Sequence, residues 1–202
     1  MNVDAGEEAG HGFWDVVLGR ASPSARMPVT AYANEYLEMV SPISDFNLLS
    51  ANGVGRTYRW FNNASVIRYH FGYGLAYCAF KYTALQFVLT PAGVNASVSV
   101  TANALSTFKG GCREIVQAYV SLPASSDVAT PLLSLLAFES VQLSATTMPV
   151  SLFIPTLRLL TTLANGTRVL APGVYTMYVS GHQPQDVAGA AASNVLNAKF
   201  TK

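Results

Sequence analysis

Asp45, Glu114 and Glu139 are the carboxylates whose surroundings come nearest to a chemical site. Two carboxyl groups set across a sugar linkage can hydrolyse it, one as acid and the other as nucleophile or base. Asp45 follows Ile43 and Ser44 and precedes Phe46, a setting that could hold a nucleophile at a strand end. It lies, however, in a stretch broken by proline, with no barrel around it. An aspartate that caps a turn with its own side chain is the simpler reading. Glu114 and Glu139 fall in strand-like text and are expected to point to solvent. No pair converges, so no residue is assigned a catalytic role and the chain on its own is expected to be inactive.

Other chemistry-bearing residues are scattered. His11, His70 and His182 have no metal-ligand spacing, and no His-Glu-x-x-His, Gly-x-Ser-x-Gly or phosphate-cradling glycine loop occurs. No metal and no cofactor is expected. Cys78 and Cys112 could close one bridge at most; they read as inert core residues and are expected not to form a functional pair. Asn63-Ala-Ser65, Asn95-Ala-Ser97 and Asn165-Gly-Thr167 are glycosylation candidates, although such triplets also arise by chance in Ser/Thr-rich chains.

The densest feature is aromatic. Of the 22 aromatic residues, ten lie between 58 and 87: Tyr58, Trp60, Phe61, Tyr69, Phe71, Tyr73, Tyr77, Phe80, Tyr82 and Phe87. Aromatic faces can stack on the C–H face of a sugar, and Arg56, Arg59 and Arg68 could bond its hydroxyls. Arg56, Tyr58, Arg59 and Trp60 are therefore the candidate binding residues. The competing and favoured reading is that these large rings weld the segment onto its neighbours, since each buries much area.

The elements that would position these residues follow from composition and pattern. The chain has 202 residues, 50% apolar and 11% charged, with a net charge of +1. Such a chain is not disordered. It carries no Lys/Arg cluster for nucleic acid, and its apolar runs are far shorter than the roughly 20 residues that span a bilayer. Neither nucleic acid nor membrane is an expected partner. The acidic, polar start differs from a signal peptide and reads like the inside of a larger protein. Residues 1–70 hold 12 of the 23 charged residues. Phe13, Trp14, Val17 and Leu18 share one helical face, with Gly19 placed to stop it. Pro23, Pro28 and Pro42 then suggest an extended linker.

From about residue 76 the period changes to two. Ala96–Ala102, Val116–Leu122, Met148–Ile154, Tyr175–Val179 and Leu196–Phe200 alternate apolar with polar residues, as half-buried antiparallel strands do. Phe80–Tyr82 and Phe138–Leu143 are further candidates. Turn signals separate the runs at Lys109-Gly-Gly111, Pro123, Asn165-Gly166 and Pro172-Gly173. About seven strands predict a mainly β, immunoglobulin-like or fibronectin type III-like antiparallel sandwich. Val98, Val100, Val116, Ala118, Val120, Tyr175, Met177 and Val179 are its expected inward set. Pro149 demotes its strand to an edge.

The chain also resembles a known family. Gly55-Arg-Thr-Tyr-Arg-Trp-Phe61, followed by Phe71-Gly-Tyr-Gly-Leu-Ala-Tyr77, is similar to the C-terminal region of glycoside hydrolase family 3. Asp15-Val-Val-Leu-Gly19, Pro23-Ser-Ala-Arg-Met-Pro-Val-Thr30, Ile115–Val120, Leu136–Val141 and Pro172-Gly-Val-Tyr175 resemble that region in the same order. Ser22, Ala25 and Cys78 depart from its usual residues. Pro42-Ile-Ser-Asp-Phe-Asn-Leu48 resembles the β-xylosidase and α-arabinofuranosidase branch, and β-glucosidase is the alternative branch. The resemblance places Asp45 in a linker motif rather than at the family's nucleophile.

What this resemblance implies is an accessory module of a secreted glycosidase acting on xylan- or arabinan-type polysaccharides. It would comprise a remnant of an α/β sandwich domain over 1–30, with a glycine-rich loop at 6–10 and a final helix at 13–19. A linker over 31–75 and a fibronectin type III-like domain over 76–202 would follow. Its partners would be the family's N-terminal catalytic domains. The alternative is a stand-alone structural module, or one that contacts carbohydrate or protein through residues 58–87.

Overall fold

The alternating text from residue 78 onward folds into seven antiparallel strands in two stacked sheets. The structure, a computed structural model, describes residues 6–40, 44–49, 52–104, 108, 110–143, 147–186 and 194–201. Helix α1 (Ala9–Val17) comes first, then β1 (Ala31–Tyr32), the short helices α2 (Tyr36–Met39) and α3 (Thr57–Trp60), and β2 (Ile67–Tyr69). The sandwich is built from β3 (Cys78–Thr90), β4 (Gly93–Ala104), β5 (Cys112–Ser121), β6 (Ser134–Leu143) and β7 (Thr147–Pro155). A small hairpin of β8 (Thr161–Thr162) and β9 (Arg168–Val169) precedes β10 (Val174–Ser180) and β11 (Leu196–Thr201). One sheet has the order β3-β4-β7, the other β11-β10-β5-β6. β7 lies at an edge, where the ladder tolerates Pro149.

Every residue of the expected inward set is buried, and the two sheets share one core that includes Val98, Val116, Tyr175 and Met177. The hydroxyl of Tyr175, near the start of β10, donates to the carbonyl of Ala171 at 2.7 Å. This backward bond from a strand-starting tyrosine fixes the corner leading into β10.

Three expectations change. The helix begins at Ala9, so part of the expected glycine-rich loop at 6–10 is helical; it still ends before Gly19, whose N–H reaches the Val16 carbonyl. Residues 31–75 form short elements rather than one extended linker: β1 pairs with β2, and Ala33 N–H donates to the Val66 carbonyl. Lys109, Pro42 and Ile43, named in the expected turn and linker motifs, lie outside the described residues.

The third change is chemical. Cys78 and Cys112, expected to stay unpaired, form a disulfide. They are the first residues of β3 and β5, which belong to facing sheets. Cys112 also has the same strand parity as inward Val116, so both sulfurs meet in the core. The bridge closes a loop with a sequence separation of 34, which in the chain-entropy account constrains the unfolded state by about 4 kcal/mol. Cys78→Ala/Cys112→Ala should therefore lower the urea-derived unfolding free energy by about 2–4 kcal/mol. An unchanged midpoint and slope would show that the bridge contributes nothing.

Candidate functional site

Two places gather polar and aromatic groups, one where residues 22–77 meet the sandwich and one lined by residues 28–71. The first is a buried polar interlock. Glu114, expected to face solvent, is 1% exposed. Period-two parity puts it on the inward face of β5 with Val116, at the end of the core. An ionised carboxylate there needs a partner. Arg26, from the segment before β1, supplies an ion pair, and the Tyr82 hydroxyl donates to the other oxygen at 2.7 Å. Burial pushes the Glu114 carboxyl above its ordinary pKa, while the Arg26 charge and the Tyr82 bond pull it back. Burial and the neighbouring Glu114 push the Tyr82 phenol well up, so it remains a donor at neutral pH.

The outer face of β5 is covered as well. Gln117 and Tyr119, polar positions of the alternation, are buried because residues 58 and 71–72 lie over them. Gln117 Nε2 donates to the carbonyls of Gly72 (3.1 Å) and Gly181 (2.8 Å), while its Oε1 accepts from Tyr119 Oη at 2.5 Å. Gln183 Nε2 donates to the Phe71 carbonyl at 2.7 Å. A side chain at Gly72 would collide with Gln117 and Tyr119, and one at Gly181 with the Glu114 carboxylate. Met27 and the 72–73 backbone exchange hydrogen bonds, and Tyr77 N–H donates to Ser22 Oγ at 2.9 Å. The Pro23–Thr30 and Phe71–Tyr77 motifs are thus the two halves of one strap.

The second place is an open, mainly apolar groove of about 840 Å³. Its lining includes Arg56, Tyr58 and Arg59 of the candidate binding residues; half-buried Trp60 is not among the lining side chains. Tyr32 and Tyr36 line it too, with rings stacked 3.8 Å apart. Burial, with the adjoining Tyr36, raises the Tyr32 phenol to about 12, so it is neutral in ordinary buffers. Thr57 adopts φ +63°, a left-handed conformation that costs a β-branched residue roughly 1–3 kcal/mol. Just beyond it, Tyr58 stacks on Phe71 at 4.2 Å and its hydroxyl accepts from the Leu135 N–H at 3.1 Å. Tyr58 therefore forms part of the groove wall and also ties it to β6.

The remaining candidates stay apart. Asp45 is half-buried and accepts from the backbone and side chain of Asn47 at 3.0 and 2.9 Å, the turn-capping role expected of it. Glu139 is exposed on β6. His11 is exposed and sits 2.7 Å from Glu8. His70 is held below the ordinary histidine range by burial, with Asp186 opposing and His182 adding to the shift. Asn63, Asn95 and Asn165 are all exposed. Among the described residues no group of three or more His, Cys, Asp or Glu could hold a metal ion, and no helix is long and apolar enough to cross a membrane.

Known proteins are similar to this chain in sequence and in fold. No family model matches it. An exo-1,4-β-xylosidase of Emericella nidulans is 28% identical over 187 residues, covering 86% of this chain and 24% of that protein. A probable exo-1,4-β-xylosidase of Neosartorya fischeri is 37% identical over 94 residues, 46% of this chain and 12% of that protein. Among solved structures, β-glucosidase 3B of Thermotoga neapolitana superposes with a TM-score of 0.74 at 24% identity, covering 97% of this chain and 27% of that one. The GH3 β-glucosidase of Bifidobacterium adolescentis gives 0.76 at 21% identity, covering 97% and 28%. The chain's homologues are thus glycosidases, and it spans about a quarter of the length of the curated relatives it matches.

The interlock yields a direct test. Glu114→Gln should destabilise the chain by roughly 3–5 kcal/mol, because it strands the Arg26 charge in the interior. Arg26→Met/Glu114→Leu, which removes both charges, should recover most of that loss in urea melts. A double variant no better than Glu114→Gln would mean that the charges do not compensate each other.

Proposed function

We propose that this chain is the C-terminal region of a family 3 glycoside hydrolase of the β-xylosidase branch, and that it acts as an accessory module bracing catalytic domains carried elsewhere in the polypeptide. The observation that carries the reading is the match over 86% of this chain to a quarter of an exo-1,4-β-xylosidase. The substrate class proposed for the whole enzyme is O-glycosyl bonds of xylan- and arabinan-type polysaccharides. A β-glucosidase is the second reading, favoured by solved neighbours that carry that name.

Several features support the module's role. The division into sheets of three and four strands, with the Tyr175 corner, fits a fibronectin type III-like domain over 76–202. Residues 1–30 fit the end of an α/β sandwich domain, because Phe13, Trp14, Val17 and Leu18 of the first helix and its end are each more than half exposed and need a cover. Residues 31–75 then serve as the linker that straps one domain to the next. Of the candidate carboxylates, Glu114 is engaged by Arg26 and Asp45 caps a turn, which supports catalysis residing outside this chain. A disulfide and exposed sequons suit a secreted protein.

The purified chain should not turn over aryl β-xylosides or aryl β-glucosides. A chimera in which it replaces the matching quarter of the Emericella nidulans exo-1,4-β-xylosidase should hydrolyse aryl β-xyloside. Turnover by the chain alone, lost in Asp45→Asn, would overturn the accessory role. So would a folded chimera with no hydrolysis.

A further inference from the structure

We infer that Asn95 is an N-glycosylation site whose first N-acetylglucosamine packs on Phe153 and Val88, so that the outer face of the β3-β4-β7 sheet is the solvent face of the mature protein. The inference rests on the secreted location proposed above but not on the glycosidase assignment.

The register makes the case. β4 is the central strand of its sheet; Ala96 points into the core, and Asn95 and Ser97 of the sequon point outward. Asn95 pairs with Val88 on β3 and with Phe153 on β7, so the three side chains form one row across the outer face. Val88 is 63% exposed and Phe153 47%. Along this face Ser97, Ser99 and Thr101 on β4 lie between Gln86, Thr83 and Lys81 on β3 and Ser151, Pro149 and Thr147 on β7, polar apart from the proline, and Thr101 and Thr147 bond each other at 2.6 Å. Among the described residues the large apolar side chains of this face are thus the two that flank the sequon. They border a shallow depression of about 310 Å³ that Asn95 itself lines.

Val88 and Phe153 leave apolar surface in water on either side of Asn95. A sugar attached between them covers both, since its C–H face is apolar and its hydroxyls stay in water. Asn63 and Asn165 are also exposed, but their side-chain oxygens accept local bonds from Ser65 and Thr167 in turns, with no such row beside them.

The transfer itself occurs on the extending chain. The amide nitrogen of Asn95 attacks C1 of a lipid-pyrophosphate-linked oligosaccharide. The new N–C1 bond replaces the C1–O bond, lipid pyrophosphate leaves, and the amide proton passes to the transferring enzyme's base. Folding then requires only that the modified side chain face outward, as it does here.

The test forces entry into the secretory pathway, so that its failure is separable from failure of the proposed location. The chain is expressed behind a leader peptide in yeast, and the secreted protein is deglycosylated enzymatically in 18O-water and mapped by mass spectrometry. Conversion of Asn95 to 18O-labelled Asp is expected. Secreted protein with unmodified Asn95, whatever the state of Asn63 and Asn165, overturns the site. The packing is tested by a thermal cycle on the glycosylated protein. Loss of the glycan in Asn95→Gln should lower Tm by roughly 2–4 °C, and the same change in a Phe153→Thr background should do nothing. An equal effect in both backgrounds would place the sugar off the ring.

Discussion

The ion pair between Arg26 and Glu114 is the constraint around which the strap is arranged. A carboxylate 1% exposed at the end of a hydrophobic core is tolerable only with its charge answered. Arg26 answers it from a segment 88 residues earlier in the chain. That single requirement draws residues 22–30 against β5, and the Met27 backbone then carries residues 72–73 along with it. Once these are in place, Gln117 and Tyr119 lose their solvent, and Gln117 needs the Gly72 and Gly181 carbonyls while Tyr119 donates to Gln117. A buried pair is weak evidence for net stability, because desolvating two ions costs about as much as their attraction returns. What the pair supplies here is position: a strap that moved Arg26 away would leave buried Glu114 without its counter-charge.

Much of the sandwich was legible because a period of two is a strong signal when one face is buried. All seven strand candidates are strands, and Val116, Ala118, Val120 and their inward companions are buried. The same parity, carried two residues further back, would have put Glu114 inside. It would likewise have put Cys112 inside, opposite a second cysteine at the start of a strand in the facing sheet. Residue type points the other way for both, because a glutamate is usually exposed and a lone cysteine usually inert. The outer cover on Gln117 and Tyr119 left no local trace, since it depends on a segment some 45 residues earlier. Nor did the helix start at Ala9, because Gly10 and Gly12 are weak helix formers.

The aromatic cluster divides along the same lines. Tyr58, Phe71 and Tyr77 weld the strap to the sandwich: Tyr58 bonds β6, Phe71 stacks on Tyr58, and Tyr77 packs against the core while bonding Ser22 and Val16. Tyr32 and Tyr36, outside the dense run, join Tyr58 in lining the groove. Residues similar to a glycosidase family's recurrent motifs therefore serve mostly as joinery here, locking a neighbouring segment to a β-sandwich.

The central claim is that residues 22–27 and 71–77 belong to the sandwich's cooperative unit, held there by the Arg26–Glu114 pair. Native-state hydrogen exchange measures this directly. The amides of Met27, Gly72 and Tyr77, all hydrogen-bonded across the strap, should open with the same free energy as Val116 and Ala118 on β5. If those three amides exchange through a separate, lower-energy opening while β5 stays protected, the strap is a loosely docked linker and the account is wrong.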